Sequence, residues 1–145
     1  MNITYTNTID IEDYAKLRAS AGWPQIIPEQ AQAGLDGSRF LIVAKDEDTT
    51  VGIARVVSDG GYIAYLADVL VLPDYQGKGI GSEMVGRLVA MVKDCMKEGH
   101  QINFVLHSAI GKEGFYERFG FTKRPNEIAG YGMAQWMVKY NDPDG

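Results

Sequence analysis

Residues 72–84 read LPDYQGKGIGSEM and place glycines at positions 77, 79 and 81 directly before a helical pattern. The first turn of a helix has backbone N–H groups without partners and carries the positive end of the helix dipole, so it attracts anions. Glycine lets a phosphate approach these N–H groups and permits a positive φ. The segment therefore predicts a pyrophosphate-binding loop, and the alternative is a tight loop without a ligand. The candidate residues are Gln76, Gly77, Lys78, Gly79, Ile80, Gly81 and Ser82.

Two other phosphate motifs do not describe this loop. The dinucleotide fingerprint opens a βαβ unit, whereas β-rich runs in succession precede the glycines here. A Walker loop ends in Gly-Lys followed by Ser or Thr, and the loop lacks that ending. Gln76 and Lys78 can instead add side-chain donors to the backbone N–H groups.

A carboxylate at Asp68 interrupts the apolar run YLADVLVL. Burying a carboxylate is costly unless it is paired or has a chemical task. Two interpretations are equally open from the residues alone. Asp68 either receives a substrate ammonium or passes its proton on through water, or it has a structural role and accepts backbone or loop hydrogen bonds.

The elements that must position these residues alternate along the chain. Apolar periods of two predict strands, and periods near 3.6 predict helices. The β-rich runs at 39–45 and 50–58 are joined by an acidic turn, so they predict a hairpin, which 62–73 extends into a meander. The pattern favours a three-layer α/β or α+β fold with a mixed central sheet flanked by helices. Further strands are expected at 2–7, 102–107, near 121–124 and at 133–140, and helices at 9–20, 28–35, 79–98 and 112–119.

Two segments resemble motifs of the GCN5-related N-acetyltransferase (GNAT) family. Gln76, Gly79 and Gly81 fill the Gln/Arg-x-x-Gly-x-Gly/Ala signature of its motif A, and EGFYERFGF at 113–121 resembles its motif B. The resemblance extends from the first helix to Tyr140 and includes the spacing of the motifs. It implies the GNAT acyl-CoA N-acyltransferase fold, acetyl-CoA as cosubstrate, no metal, and acetyl transfer to a primary amine by direct attack in a ternary complex.

The resemblance also implies roles for single residues. Backbone groups at a bulge near Leu70 and Val71 would bind the pantetheine arm, and Tyr116 would donate a proton to the leaving thiolate. The alternative for Tyr116 is a core aromatic among phenylalanines. Many family members carry Glu-Asp before motif A, but this chain has Ala67-Asp68, so the usual glutamate is missing and Asp68 is the remaining candidate base.

An acceptor pocket is implied between the first two helices, the long strand and the C-terminal segment. Its candidate residues are Trp23, Tyr65 and Tyr131, and Trp23 could equally anchor a helix end to the core. A small-molecule amine is the predicted acceptor. A protein or peptide N-acetyltransferase and a non-catalytic acyl-CoA binder are the alternatives, and a homodimer is left open.

Composition bounds these hypotheses. The 145 residues predict one domain over positions 1–145, and the net charge of −5 argues against a nucleic-acid partner. The single Cys95, predicted to lie on the buried stripe of the third helix, excludes an internal disulfide. No run suits a membrane span or a signal peptide, so a cytoplasmic location is expected, and the tail at 141–145 is expected to fray.

Overall fold

Strands and helices alternate along residues 3–117 in the order that the sequence predicts. In the computed structural model, which describes residues 1–140, the strands are β1 (Ile3–Thr6), β2 (Phe40–Asp46), β3 (Thr49–Ser58), β4 (Ile63–Val71) and β5 (Asn103–Val105). The helices are α1 (Ile11–Ser20), α2 (Pro28–Asp36), α3 (Ile80–Asp94) and α4 (Glu113–Glu117), with a 3-10 helix at Pro73–Tyr75. The predicted fraying of 141–145 lies outside the described residues.

The chain divides into two compact units, Met1–Leu106 and His107–Gly145. The first unit contains the five strands and α1 to α3, and the second contains α4. The prediction of one domain over residues 1–145 stays a prediction.

The five strands form one mixed sheet in the order β1-β2-β3-β4-β5. Neighbouring strands are antiparallel as far as β4, whereas β5 runs parallel to β4. β2 and β3 form the predicted hairpin, and β4 completes the meander. The connection from β4 to β5 contains α3, because parallel strands need a long crossover.

Helices cover both faces of this sheet. A Cβ built on Gly52 of β3 would lie 3.1 Å from Cε of Met84, so this position faces α3 and glycine permits the close approach. Successive strand residues point to opposite faces, so Ile53 points away from α3. Ile53 packs in one buried cluster with Tyr14 and Leu17 of α1. The predicted mixed sheet with flanking helices is confirmed.

The helix α3 is shorter than predicted. The expected Ile80, Met84, Leu88 and Val92 are buried, together with Val85. The helix ends at Asp94 rather than near residue 98, and residues 97–100 form a separate turn in which the His100 N–H donates to the Lys97 carbonyl at 2.9 Å.

The prediction that Cys95 is buried was wrong. Cys95 lies at the C-terminal end of α3, where the helix stops, and its thiol is exposed. The thiol donates to the Val92 carbonyl at 3.0 Å, which is a local contact with the last helical turn.

The second unit lacks the strands predicted near 121–124 and at 133–140 within the described residues. Its hydrogen bonds around residues 123–130 are local. The Asn126 N–H donates to the Ala129 carbonyl at 2.9 Å, and Arg124 Nε donates to the Gly130 carbonyl at 2.6 Å. A strand requires a ladder partner, and the apolar pattern alone did not supply one for residues 133–140.

Candidate active site

The glycine-rich loop between β4 and α3 has an open backbone. Gly77 and Gly79 have φ of +75° and +83°, and Gly79 is the residue that precedes α3. A Cβ built on either glycine would meet no described atom within 4 Å. The N-cap position of α3 is Gly79, which has no side chain to cap the first turn formed by Ile80, Gly81 and Ser82. The backbone N–H groups of this turn therefore face a space that an anion can enter.

Two side chains flank the loop. Gln76 Nε2 donates to the Val71 carbonyl at 3.0 Å, which links the loop to the end of β4. The Lys78 ammonium lies 5.7 Å from the centre of the Tyr75 ring. The Tyr75 hydroxyl donates to Asp46 Oδ2 at 2.7 Å, and this bond raises the pKa of Tyr75. Lys78 thus places a positive charge beside the Tyr75 ring. The hydrogen bond to Asp46 holds this ring against the β2–β3 hairpin.

The strand β4 parts from β5 before it reaches the loop. Among the described residues, its ladder with β5 covers only residues 63–65. Leu70 and Val71 remain paired with Ile53 and Gly52 of β3 on the other edge. The arrangement expected for Leu70 and Val71, a strand end with one edge away from β5, is present, and their binding role stays a prediction.

A bulge in β4 lies between residues 63–65, which pair with β5, and the end of the strand at Leu70 and Val71. Arg55 pairs with Ala67 and Ile53 pairs with Leu70, so two residues of β4 oppose one residue of β3. The first of the two is Asp68, whose φ is +53°. A bulge was expected near Leu70 from the family resemblance, and the structure contains it two residues earlier.

Three side chains enclose the Asp68 carboxylate. Oδ2 accepts hydrogen bonds from the Tyr14 hydroxyl and from Arg55 Nε, the latter at 2.7 Å. Oδ1 lies 3.6 Å from a terminal guanidinium nitrogen of Arg18. Burial and the bond to Asp68 raise the pKa of Tyr14, so it stays protonated as a donor at neutral pH. Asp68 accepts structural hydrogen bonds, as one of the two interpretations expected, but from side chains rather than from backbone.

Trp23 is joined to the same group of residues through Arg18. The Arg18 guanidinium lies 5.4 Å from the centre of the Trp23 ring, and it donates to the Pro24 carbonyl at 2.8 Å. Trp23 is half-buried against the cluster that contains Tyr14 and Leu17. This packing favours the helix-end anchor, and contact with an acceptor stays a prediction.

The three remaining candidate tyrosines belong to different units, Tyr65 to the first and Tyr116 and Tyr131 to the second. Tyr65 is half-buried on β4, opposite Val57 of β3 and Val105 of β5. Tyr116 belongs to the second unit, where its ring makes an edge contact with Phe115 at a centroid distance of 4.9 Å. Tyr131 belongs to that unit as well. The aromatic environment of Tyr116 agrees with a packing role and leaves its catalytic role a prediction.

The sequence interpretation missed Tyr14, Arg18 and Arg55. A signal for Arg55 was available, because it is the only charged residue of the run TVGIARVVS, as Asp68 is in YLADVLVL. Two apolar runs predicted to be neighbouring strands, each with one charge of opposite sign, indicate an ion pair across the strands.

Within residues 1–140, no group of three or more His, Cys, Asp or Glu side chains is arranged to hold a metal ion. None of the helices in that range is long and apolar enough to cross a membrane. The cytoplasmic location, the lack of a nucleic-acid partner and the homodimer stay predictions.

Comparisons with known proteins agree with this geometry. A Staphylococcus aureus protein of unknown function, described as a probable acetyltransferase, has a crystal structure that matches with a TM-score of 0.81 and 31% identity, over 96% of this chain and 100% of that one. Serotonin N-acetyltransferase 2 of Oryza sativa is 29% identical over 84% of this chain and 61% of its own length. Histone acetyltransferase TAP1 of Glycine max is 28% identical over 84% and 56%.

The acetyltransferase (GNAT) domain family matches residues 10–139, which include the bulge, the glycine-rich loop and α4. The chain belongs to the GNAT family and is an acetyltransferase enzyme.

Proposed function

We propose that the enzyme transfers the acetyl group of acetyl-CoA to the primary amine of a small molecule, by direct attack within a ternary complex. The observation that carries the proposal is the junction of β4 and α3. A strand edge that has left β5 leads into an open loop with two positive-φ glycines, the second of which is the N-cap residue of α3.

The residues of this junction fit coenzyme A. Pyrophosphate oxygens are acceptors, and the first turn of α3 with the flanking Lys78 supplies donors and positive charge. The free edge near Leu70 and Val71 suits the amide groups of a pantetheine arm, which can bind there like an added strand. When bound, acetyl-CoA supplies the thioester whose acyl carbon the amine attacks.

Protons must move at two places in this reaction. An alkyl amine with a pKa near ~10 must lose a proton before it attacks. The leaving thiolate, with a thiol pKa near ~8.5, benefits from a proton donor, and we assign this role to Tyr116. Asp68 was the predicted site of the other transfer, but Tyr14, Arg18 and Arg55 surround its carboxylate, so we favour a positioning role for it and leave this proton to water.

Acceptors of different chemistry are acetylated by relatives, since one is named for serotonin and another for histones. The net charge of −5 and the aromatic candidates Trp23, Tyr65 and Tyr131 support a small amine with an aromatic or aliphatic body.

Release of free thiol from acetyl-CoA tests the acceptor class. We expect kcat/KM to be highest for aromatic and short aliphatic amines, lower for a lysine peptide and lowest for an amino-sugar phosphate. In the same assay Tyr116→Phe should lower kcat by about 10²-fold, as is typical for loss of a positioned acid, while the control Tyr62→Phe should not. A preference for the peptide would overturn the small-molecule proposal, and an unchanged kcat in Tyr116→Phe would return Tyr116 to a packing role.

Coenzyme binding tests the loop. Gly79→Val places a branched side chain at the start of α3 and should weaken coenzyme A binding at least about tenfold, or about 1.4 kcal/mol, in calorimetric titration. Gly99→Val is the matched control, because Gly99 also has a positive φ, +84°, with no described atom near its Cβ position. Equal affinities of both variants would refute the loop as the pyrophosphate site.

A further inference from the structure

Asp68 has a backbone conformation that costs free energy. Its φ of +53° lies in the left-handed region, which is unfavourable by roughly 1–2 kcal/mol for a residue with a Cβ. In a bulge whose first residue has a positive φ, that residue is usually glycine for this reason. Something else in the structure must therefore hold residue 68 in place.

The contacts of its carboxylate provide that hold. Tyr14, Arg18 and Arg55 surround one carboxylate whose side chain is 10% exposed, and the side chains of Arg18 and Arg55 are 9% and 16% exposed. Interactions between buried charges are screened little by water. Pulling residue 68 back into regular extended backbone would separate the carboxylate from two guanidinium groups.

The arginines are themselves fixed to the ends of the two N-terminal helices. Arg55 Nη1 donates to the Gly34 carbonyl at 3.0 Å and to Ser38 Oγ at 3.2 Å, both at the end of α2. Arg18 donates to the Pro24 carbonyl beyond the end of α1. The bulge of β4 is thus tied to both helices through Asp68.

The bulge decides which way the following residues of β4 point. Leu66 lies opposite Val56, and Leu70 lies opposite Ile53. Val56 and Ile53 are an odd number of residues apart on β3, so they point to opposite faces. Leu66 and Leu70 therefore also point to opposite faces, although regular alternation would place both on one face. The extra residue reverses the alternation and sets the direction of the backbone groups of Leu70 and Val71.

We propose that Asp68 and Arg55 are positioning residues, whose ion pair holds the β4 bulge and thereby aims the backbone of Leu70 and Val71 at the pantetheine arm of the coenzyme. This inference rests on the proposed function for the identity of the ligand. It assigns Arg55 a role in coenzyme binding although its hydrogen bonds run to Asp68 and the end of α2.

Glycine rescue tests the proposal. Arg55→Met leaves a strained residue 68 with one guanidinium fewer, and coenzyme A binding should weaken at least about tenfold. The double variant Arg55→Met/Asp68→Gly needs no support for a positive φ, so its Kd should return to within about threefold of the wild type. Asp13→Asn, which alters another carboxylate that links α1 to β3 through Thr50, is the control and should bind normally. All Kd values are measured at a temperature where circular dichroism shows the native fold.

Normal binding by Arg55→Met, or a double variant as weak as Arg55→Met, overturns the proposal. If Arg55→Met does not fold, Asp68→Ala and Asp68→Gly replace it, since both lack the carboxylate and only alanine resists the positive φ. We then expect at least about fivefold weaker binding by Asp68→Ala than by Asp68→Gly, and equal affinities contradict the role of the bulge.

Amide hydrogen exchange of the protein without coenzyme tests this proposal separately from the proposed function. Failure of the wild-type protein to bind coenzyme A would refute the function. Amide hydrogen exchange at Leu70 and Val71 should still be faster in Asp68→Ala than in Asp68→Gly, because only the alanine variant loses the bulge. Equal exchange rates in the two variants would refute the positioning role in either case.

Discussion

Glu47 and Asp68 have nearly the same φ, +54° and +53°, in two regions that are built differently. Glu47 is an exposed residue of the turn between β2 and β3, and its N–H donates to the Asn2 carbonyl at 3.3 Å. Asp68 lies inside a strand and is enclosed by side chains from α1 and β3. A turn between two adjacent strands determines the first conformation, and contacts between distant parts of the chain determine the second.

A positive φ costs free energy at both positions, but different interactions offset this cost at Glu47 and at Asp68. At Glu47 the hairpin closes whatever the side chain is, so the side chain can be changed freely. At Asp68 the side chain is the compensation, so its removal takes away the support and leaves buried cations behind. Substitutions at the two positions should therefore change the free energy of unfolding by different amounts and in opposite directions.

The largest effect is expected at Asp68. Asp68→Ala and Asp68→Gly should both lower the free energy of unfolding by about 3–5 kcal/mol, because each leaves Arg18 and Arg55 without their anion. Alanine adds roughly 1–2 kcal/mol for the positive φ, and the greater unfolded-state freedom of glycine offsets about 0.5–1 kcal/mol of this difference. We expect Asp68→Ala to be the less stable by about 1 kcal/mol in urea denaturation at equal m-values. An equal stability of the two variants would mean that the backbone at 68 is unstrained.

A smaller effect of opposite sign is expected at Glu47. Asparagine adopts the left-handed conformation more readily than glutamate and suits hairpin turns, so Glu47→Asn should raise the free energy of unfolding by about 0.5 kcal/mol. Thermal denaturation should show a modestly higher Tm, and Asp48→Asn, at a neighbouring position without a positive φ, serves as the control. A lower Tm for Glu47→Asn than for Asp48→Asn would show that the Glu47 side chain supports its turn.

The parts of the fold that depend on local patterns could be predicted from the sequence. The hairpin follows from two β-rich runs and an acidic turn, and the open loop follows from glycines at a strand-to-helix junction. The motifs around Gly79 and Tyr116 also predicted membership in the GNAT family, and the family match over residues 10–139 confirms it.

Features that depend on contacts between distant residues could not be predicted in the same way. The three side chains around Asp68 come from positions 14, 18 and 55, and no short pattern joins them. The alternation at 133–140 predicted a strand, but a ladder needs a partner that the pattern does not name. Cys95 had the spacing of the buried stripe, yet the helix ended before that spacing could bury it.

The bulge also decides which residues of β4 point to which face of the sheet. Leu66 and Leu70 are both buried, and they face opposite sides of the sheet although their positions differ by four, because the bulge adds one residue between them. Removal of a single residue here would restore one-to-one pairing, with Leu66 still opposite Val56 and Leu70 still opposite Ile53, so Leu70 would keep its face. A one-residue deletion at the bulge should therefore leave the faces of the following side chains unchanged, whereas a substitution that straightens residue 68 without a deletion should turn over every side chain between residue 68 and the glycine-rich loop.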